Sequence, residues 1–137
     1  MADKLSRQSR SANMAAIRSG STKPEMTVRS AVHKLGYRFR LHRKDLPGKP
    51  DLVFPARMKI IFVHGCFWHQ HPDPGCLDAR LPKSNTVYWH SKLARNIARD
   101  KSSIAALKKL GWKVLIIWDC ETSNSDRLKR RLRSFLN

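Results

Sequence analysis

Two short, nearly uninterrupted apolar stretches, Lys59 to His64 and Trp112 to Trp118, flank a long segment of helical periodicity. A strand that is apolar on both faces must be covered on both, so these stretches predict neighbouring buried strands of a sheet. Between them Trp89, Leu93, Ile97, Ile104, Leu107 and Leu110 recur at helical spacing from Asn85 to the stop at Gly111, with Lys92, Arg95, Asn96 and Arg99 off that stripe. Such a helix carries the chain across to a further strand. With 137 residues, a single core is expected.

Upstream, Pro24 to about Leu35 reads as a helix capped by Thr22, with Met26, Val28, Val32 and Leu35 on its apolar face and Gly36 after it. Tyr37, Phe39 and Leu41 alternate with Arg38, Arg40 and His42, the period of a strand with one buried face. Leu46-Pro47-Gly48-Lys49-Pro50 is a turn, and Asp51 to Phe54 starts the next strand. The tail from Asp126 predicts a basic helix facing Leu128, Leu132, Phe135 and Leu136 inward. The expected class is mixed α/β: helix, three strands, helix, strand, helix. Residues 1–22 read as a basic arm that can include a short helix over Ala12 to Ile17, and 23–137 as a single domain.

Charge narrows the partner. Lys and Arg number 28 against 10 Asp and Glu, a formal net charge of +18, which favours a polyanion. No apolar run approaches the roughly 20 residues of a membrane span, and no stretch carries the aromatic and basic faces of an interfacial helix. The polar start from Met1 lacks a secretory h-region, so a reducing cytoplasm is expected and disulfides are not. Nucleic acid is the partner this composition suits best.

The loop over residues 65–83 is too long to be idle. Val63-His64-Gly65-Cys66-Phe67-Trp68-His69-Gln70-His71 packs three histidines, a cysteine and two aromatics after a buried strand. Cys66, His71, Cys76 and Cys120 can converge as a tetrahedral zinc site; buried free thiols with surface histidines are the alternative. Asp73 is a less suitable substitute ligand. Asp51 heads the adjacent strand and can face His64 and His69. A carboxylate that holds Mg²⁺ beside an imidazole that takes a proton from water suits phosphodiester hydrolysis, with either histidine as base. Phe67 and Trp68 either cover the loop or unstack a base step, and Met14 and Trp89 are further wedge candidates or ordinary packing residues.

Five blocks then read together: N-M-x-x-I at Asn13 to Ile17, L-P-G-K-P-D at Leu46 to Asp51, V-H-G-C-F-W-H at Val63 to His69, Y-W at Tyr88 and Trp89, and G-W-K-V-L-I-I-W-D-C at Gly111 to Cys120. This set resembles the very-short-patch repair (Vsr) DNA mismatch endonucleases over nearly the whole chain. The resemblance implies a restriction-endonuclease-like fold, a PD-(D/E)XK-type variant with a mixed sheet, flanking helices and structural zinc. It implies Mg²⁺-dependent nicking on the 5′ side of the thymine in a T·G mismatch left by 5-methylcytosine deamination.

By the same resemblance, Asp51 and the main-chain carbonyl of Val63 would bind Mg²⁺, and His69 would activate water with His64 and Glu25 assisting. Cys66, His71, Cys76 and Cys120 would hold zinc. Phe67, Trp68 and Trp89 would wedge into the major groove, Met14 would intrude from the other groove, and Lys92 and Asn96 would read the mismatched pair. A monomer acting on nucleoid DNA, with mismatch-repair proteins as further partners, completes the expectation. One departure matters: the strand from Lys59 to His64 lacks the superfamily's acid-x-Lys pair, so histidine must do the work of lysine. A non-enzymatic zinc-stapled DNA-bending module, and a junction-resolving or restriction nuclease, are the rival readings.

Overall fold

The computed structural model describes residues 22–137. It comprises α1 (Lys23–Lys34), β1 (Arg40–Leu41), β2 (Leu52–Phe54), β3 (Lys59–His64), α2 (Thr86–Lys109), β4 (Lys113–Trp118) and α3 (Ser125–Leu136). The strands form one mixed sheet in the order β1-β2-β3-β4, antiparallel up to β3 and parallel between β3 and β4. That parallel pair needs a long connection, which α2 and the preceding loop supply. Among the described residues no helix is long and apolar enough to cross a membrane.

The continuous apolar strands divide their side chains between two cores. On one face Leu52, Phe54, Ile61 and Ile117 meet Val28 and Val32 of α1 and Leu128, Leu132 and Leu136 of α3. On the other, Val53, Ile60 and Phe62 meet Leu107, with Ile104 and Trp112 packed alongside. This three-layer arrangement explains why β3 is apolar at consecutive positions.

Three local expectations change. The first strand shrinks from Tyr37–Leu41 to Arg40–Leu41 because the chain pairs only through Arg40 with Val53 and Leu41 with Leu52. Tyr37 and Phe39 still pack against the core, but Leu41 is 41% exposed rather than buried. Met26, expected on the apolar face of α1, is 49% exposed. Thr22 does sit at the N-cap in extended conformation, yet its hydroxyl makes no capping bond.

Two features bring the chemistry to one rim of the sheet. The antiparallel register of β2 and β3 sets Asp51, at the head of β2, beside the end of β3, where the Val63 N–H donates to Asp51 Oδ2 at 2.7 Å. The parallel register pairs His64 with Trp118, so Cys66 and Cys120 each lie two residues beyond paired strand ends. Gly48 completes the rim: its φ is +75°, and a Cβ there would fall 2.8 Å from Ser103 Cβ on α2, so the turn before Asp51 passes close against that helix.

Candidate active site and candidate metal centres

Residues 65–71 fold back in tight turns, the His69 N–H donating to Gly65 O (3.1 Å) and the His71 N–H to Cys66 O (2.9 Å). Gln70 takes a left-handed φ of 51°, and its Nε2 donates to the carbonyls of Phe67 (2.7 Å) and Ala79 (3.2 Å). The loop therefore has a defined shape before any ligand is considered.

His64 and His69 stack with ring centroids 3.8 Å apart and planes 8° from parallel. His69 Nδ1 donates to Asp100 Oδ2 at 2.6 Å, a contact absent from the sequence-based expectation. That bond fixes the tautomer and leaves Nε2 with its lone pair available. His64 is only 4% exposed, and burial, followed by the electrostatic effect of the neighbouring His69 ring, lowers its pKa to about 4, so it stays neutral at neutral pH. Its Nδ1 has no hydrogen-bond partner among the described residues.

Asp51, Val63, His64, His69 and Asp100 line one cavity of about 150 Å³, large enough for several waters. Burial and the neighbouring Glu25 carboxyl raise the Asp51 pKa to about 8, against the lowering effect of the Val63 N–H. A carboxylate whose pKa is raised by burial and a second carboxyl gains from a hard divalent cation, and the side-chain donors lining the cavity are oxygens and imidazole nitrogens beside Phe62 and Ile104. The residues present thus fit the Mg²⁺ expected here.

Behind Asp51, Glu25 projects from α1 and is 2% exposed. Its Oε2 accepts a hydrogen bond from Arg29 Nη2, one turn along the helix, and lies 3.0 Å from His42 Nε2. His42 adopts a left-handed φ of 47°, and its own N–H donates to Asp51 O at 3.2 Å.

The four expected zinc ligands converge. One ligand atom from each of Cys66, His71, Cys76 and Cys120 falls within a span of 4.8 Å. His71 Nδ1 lies 3.9 Å from Cys66 Sγ and 3.4 Å from Cys120 Sγ. Tetrahedral zinc with ordinary Zn–S and Zn–N lengths separates sulfur from nitrogen by about 3.5 Å, so the set fits the ion. Burial pushes the Cys66 thiol up to about 12, and burial also raises Cys120. Without a cation these thiols would remain protonated. His71 stacks on Trp118 at 4.5 Å, which fixes its ring.

Phe67, Trp68 and Trp89 gather into one aromatic cluster, with centroids 5.1 to 5.9 Å apart and Trp68 48% exposed. Lys92, Arg95, Asn96 and Arg99 line an adjoining groove on α2. Asn96 Nδ2 also donates to Trp68 O at 3.0 Å, tying that groove to the aromatic loop. Met14 lies outside the described residues.

Geometry therefore unites a carboxylate, an oriented imidazole, a cysteine–histidine cluster and a basic aromatic surface, and comparison with known proteins gives this set a family. Residues 2–73 match the family described as DNA mismatch endonuclease Vsr. The chain belongs to the Vsr family. It is 52% identical over 137 residues to a type II nicking enzyme, V.XorIIP, of Xanthomonas oryzae pv. oryzae, spanning 100% of this chain and 98% of that protein. The Vsr DNA mismatch endonuclease of Escherichia coli K12 is 38% identical over 128 residues, covering 93% of this chain and 80% of its own. A third relative, the type II nicking enzyme V.NmeAIP of Neisseria meningitidis, is 39% identical over 132 residues, 96% of this chain and 92% of that protein.

Residues that sequence reasoning missed are Asp100, Arg29 and His42. Asp100 shares a helical face with Trp89, Leu93 and Asn96, spaced four, seven and eleven residues along α2, and that spacing was the available signal. Glu25 and Arg29 stand in the i, i+4 relation of helix ion pairs.

Proposed function

We propose that this Vsr-family protein is a mismatch-directed DNA endonuclease that nicks one strand 5′ of the thymine in a T·G pair. The observation that carries the reading is the single cavity lined by Asp51 and by a His69 whose Nδ1 is held by Asp100. An imidazole fixed in this way accepts a proton from water through Nε2, as a general base must. His64, neutral beneath it, keeps the ring in plane, and Glu25 supports the Asp51 side.

Asp51 and the Val63 carbonyl would hold Mg²⁺, which would supply charge neutralisation at the phosphate and stabilise the leaving oxygen. Cys66, His71, Cys76 and Cys120 would hold a structural zinc that ties the loop to the end of β4. Phe67, Trp68 and Trp89 are suited to entering the base stack, with Lys92 and Asn96 reading the mismatched bases and Met14 entering from the other groove. The basic arm, residues 1–22, would follow the phosphate backbone, and the enzyme would act as a monomer on cytoplasmic, nucleoid DNA, upstream of mismatch-repair proteins.

A nicking assay on T·G, T·A and branched duplexes, each with Mg²⁺ and with EDTA, tests this. Metal-dependent cleavage of one strand of the T·G duplex alone is expected. Binding without cleavage would leave a DNA-bending module, and equal cutting of paired or branched DNA would leave a junction or restriction nuclease.

A further inference from the structure

α3 carries five basic residues in its twelve, Arg127, Lys129, Arg130, Arg131 and Arg133, against one acid, Asp126. Leu128, Leu132 and Leu136 take the inward positions, so the charges stand on the flanks and outer side of the helix. Arg131 pairs with Glu121. Among the described residues the other four form no ion pair, and Arg127, Arg130 and Arg133 are exposed. Arg127 with Arg130, Arg130 with Arg133 and Lys129 with Arg133 are like-charge neighbours at three- and four-residue spacing, an arrangement that destabilises a helix. A local rule broken without relief from within the fold points to a counter-charge from outside it.

The charge continues beside the helix. Lys23 and Lys34, from the two ends of α1, and Lys129 of α3 line a groove of about 370 Å³ together with Ser30 and Ser125. Glu25, the acid of α1, is buried and held by Arg29, which leaves Asp126 as the single exposed acid of the two helices. Ammonium, guanidinium and hydroxyl donors in this excess suit phosphate oxygens.

This surface is separate from the one assigned to the mismatch. α3 packs on one face of the sheet through Leu128, Leu132 and Leu136, whereas α2, with Lys92, Arg95, Asn96 and Arg99, packs on the other through Leu107. A short duplex is too stiff to wrap both, since DNA has a persistence length of about 150 base pairs. Once α2 holds one stretch of a long DNA, other stretches of the same molecule are present at high effective concentration. They reach the outer side of α3 ahead of a free acidic protein.

Going beyond the nuclease reading, and resting on it for the first duplex, we propose that α3 and the α1–α3 groove form a second, sequence-independent site for the phosphate backbone of duplex DNA. One chain then bridges two stretches of DNA, one read on α2 and one held by Lys129, Arg130 and Arg133, and passes between segments as it searches.

The test uses the zinc-loaded full chain without added Mg²⁺, a short T·G duplex carrying a donor dye and a short fully paired duplex carrying an acceptor. Native mass spectrometry should count two duplexes per chain, and energy transfer should appear at low salt when both duplexes are present. A triple variant, Lys129→Gln, Arg130→Gln and Arg133→Gln, keeps the helix propensity of the segment. It should weaken the second duplex by about tenfold or more while T·G binding and Mg²⁺-dependent nicking stay within about twofold. Arg130→Lys with Arg133→Lys should keep both duplexes. One duplex per wild-type chain, a second duplex retained by the triple variant, or loss of T·G binding in that variant would each overturn the proposal. So would a poly-glutamate peptide that binds the T·G-loaded chain more tightly than the paired duplex does, which would assign the face to an acidic protein. Failure to nick T·G DNA would strike the nuclease reading alone, because the duplex count requires no cleavage.

Discussion

His69 Nδ1 and Asp100 Oδ2 meet at 2.6 Å across the gap between the loop after β3 and the middle of α2. A base oriented by a carboxylate loses its tautomer when that carboxylate becomes an amide. Asp100→Asn should lower the nicking rate by about 10²- to 10⁴-fold while leaving duplex affinity unchanged, as read by single-turnover kinetics beside a binding isotherm. An unchanged rate would remove Asp100 from the mechanism.

Asp51 gives a pH signature to the metal-free protein. Its folded pKa is about 8 against 3.8 for an ordinary aspartate, so between those values the folded state holds a proton that the unfolded state has released. The stabilising contribution is complete below about pH 4 and is withdrawn as pH rises toward 8. Denaturant midpoints measured in EDTA should therefore drop over this window, and Asp51→Asn should flatten the drop. The same substitution should abolish Mg²⁺-dependent nicking and spare mismatch binding.

Zinc content follows from the four converging ligands. Native mass spectrometry should find one zinc per chain, and Cys76→Ser or chelation should make residues 65–83 sensitive to protease. A folded, active protein free of zinc would contradict the site.

Affinity for DNA should fall steeply with salt. With a formal charge of +18, several phosphates can be neutralised at once, and a log–log slope on the order of −5 to −10 is expected from fluorescence anisotropy. A flat response would mean that backbone contacts do not dominate.

Gly48→Ala tests the close approach before Asp51. The new methyl would fall 2.8 Å from Ser103 Cβ at a residue with φ +75°, so both overpacking and backbone strain apply. A loss of about 1–3 kcal/mol in urea unfolding is expected.

Much of this architecture was legible because it is local. The periodicities of α1, α2 and α3 and the doubly apolar β3 follow from which faces are covered, and the dense string from His64 to His71 marked where candidate ligands gather. What escaped was set by distant pairing. The helical spacing of Asp100 from Trp89, Leu93 and Asn96 marks its face, but not that His69, thirty-one residues earlier, will lie against it. The Arg29–Glu25–His42 triangle needs α1 and the end of β1 to meet, and the brevity of β1 follows from a partner strand of only three residues.

Because β2 starts where β3 and β4 finish, the candidate ligands among the described residues gather at one edge, while the turn over Pro55–Arg57 and the starts of β3 and β4 lie at the other. Among the described residues, none of the groups assigned to the candidate site lies at that far margin. It is where natural variation in length should accumulate, and where a fluorophore or fusion partner could be grafted with the least disturbance to cleavage.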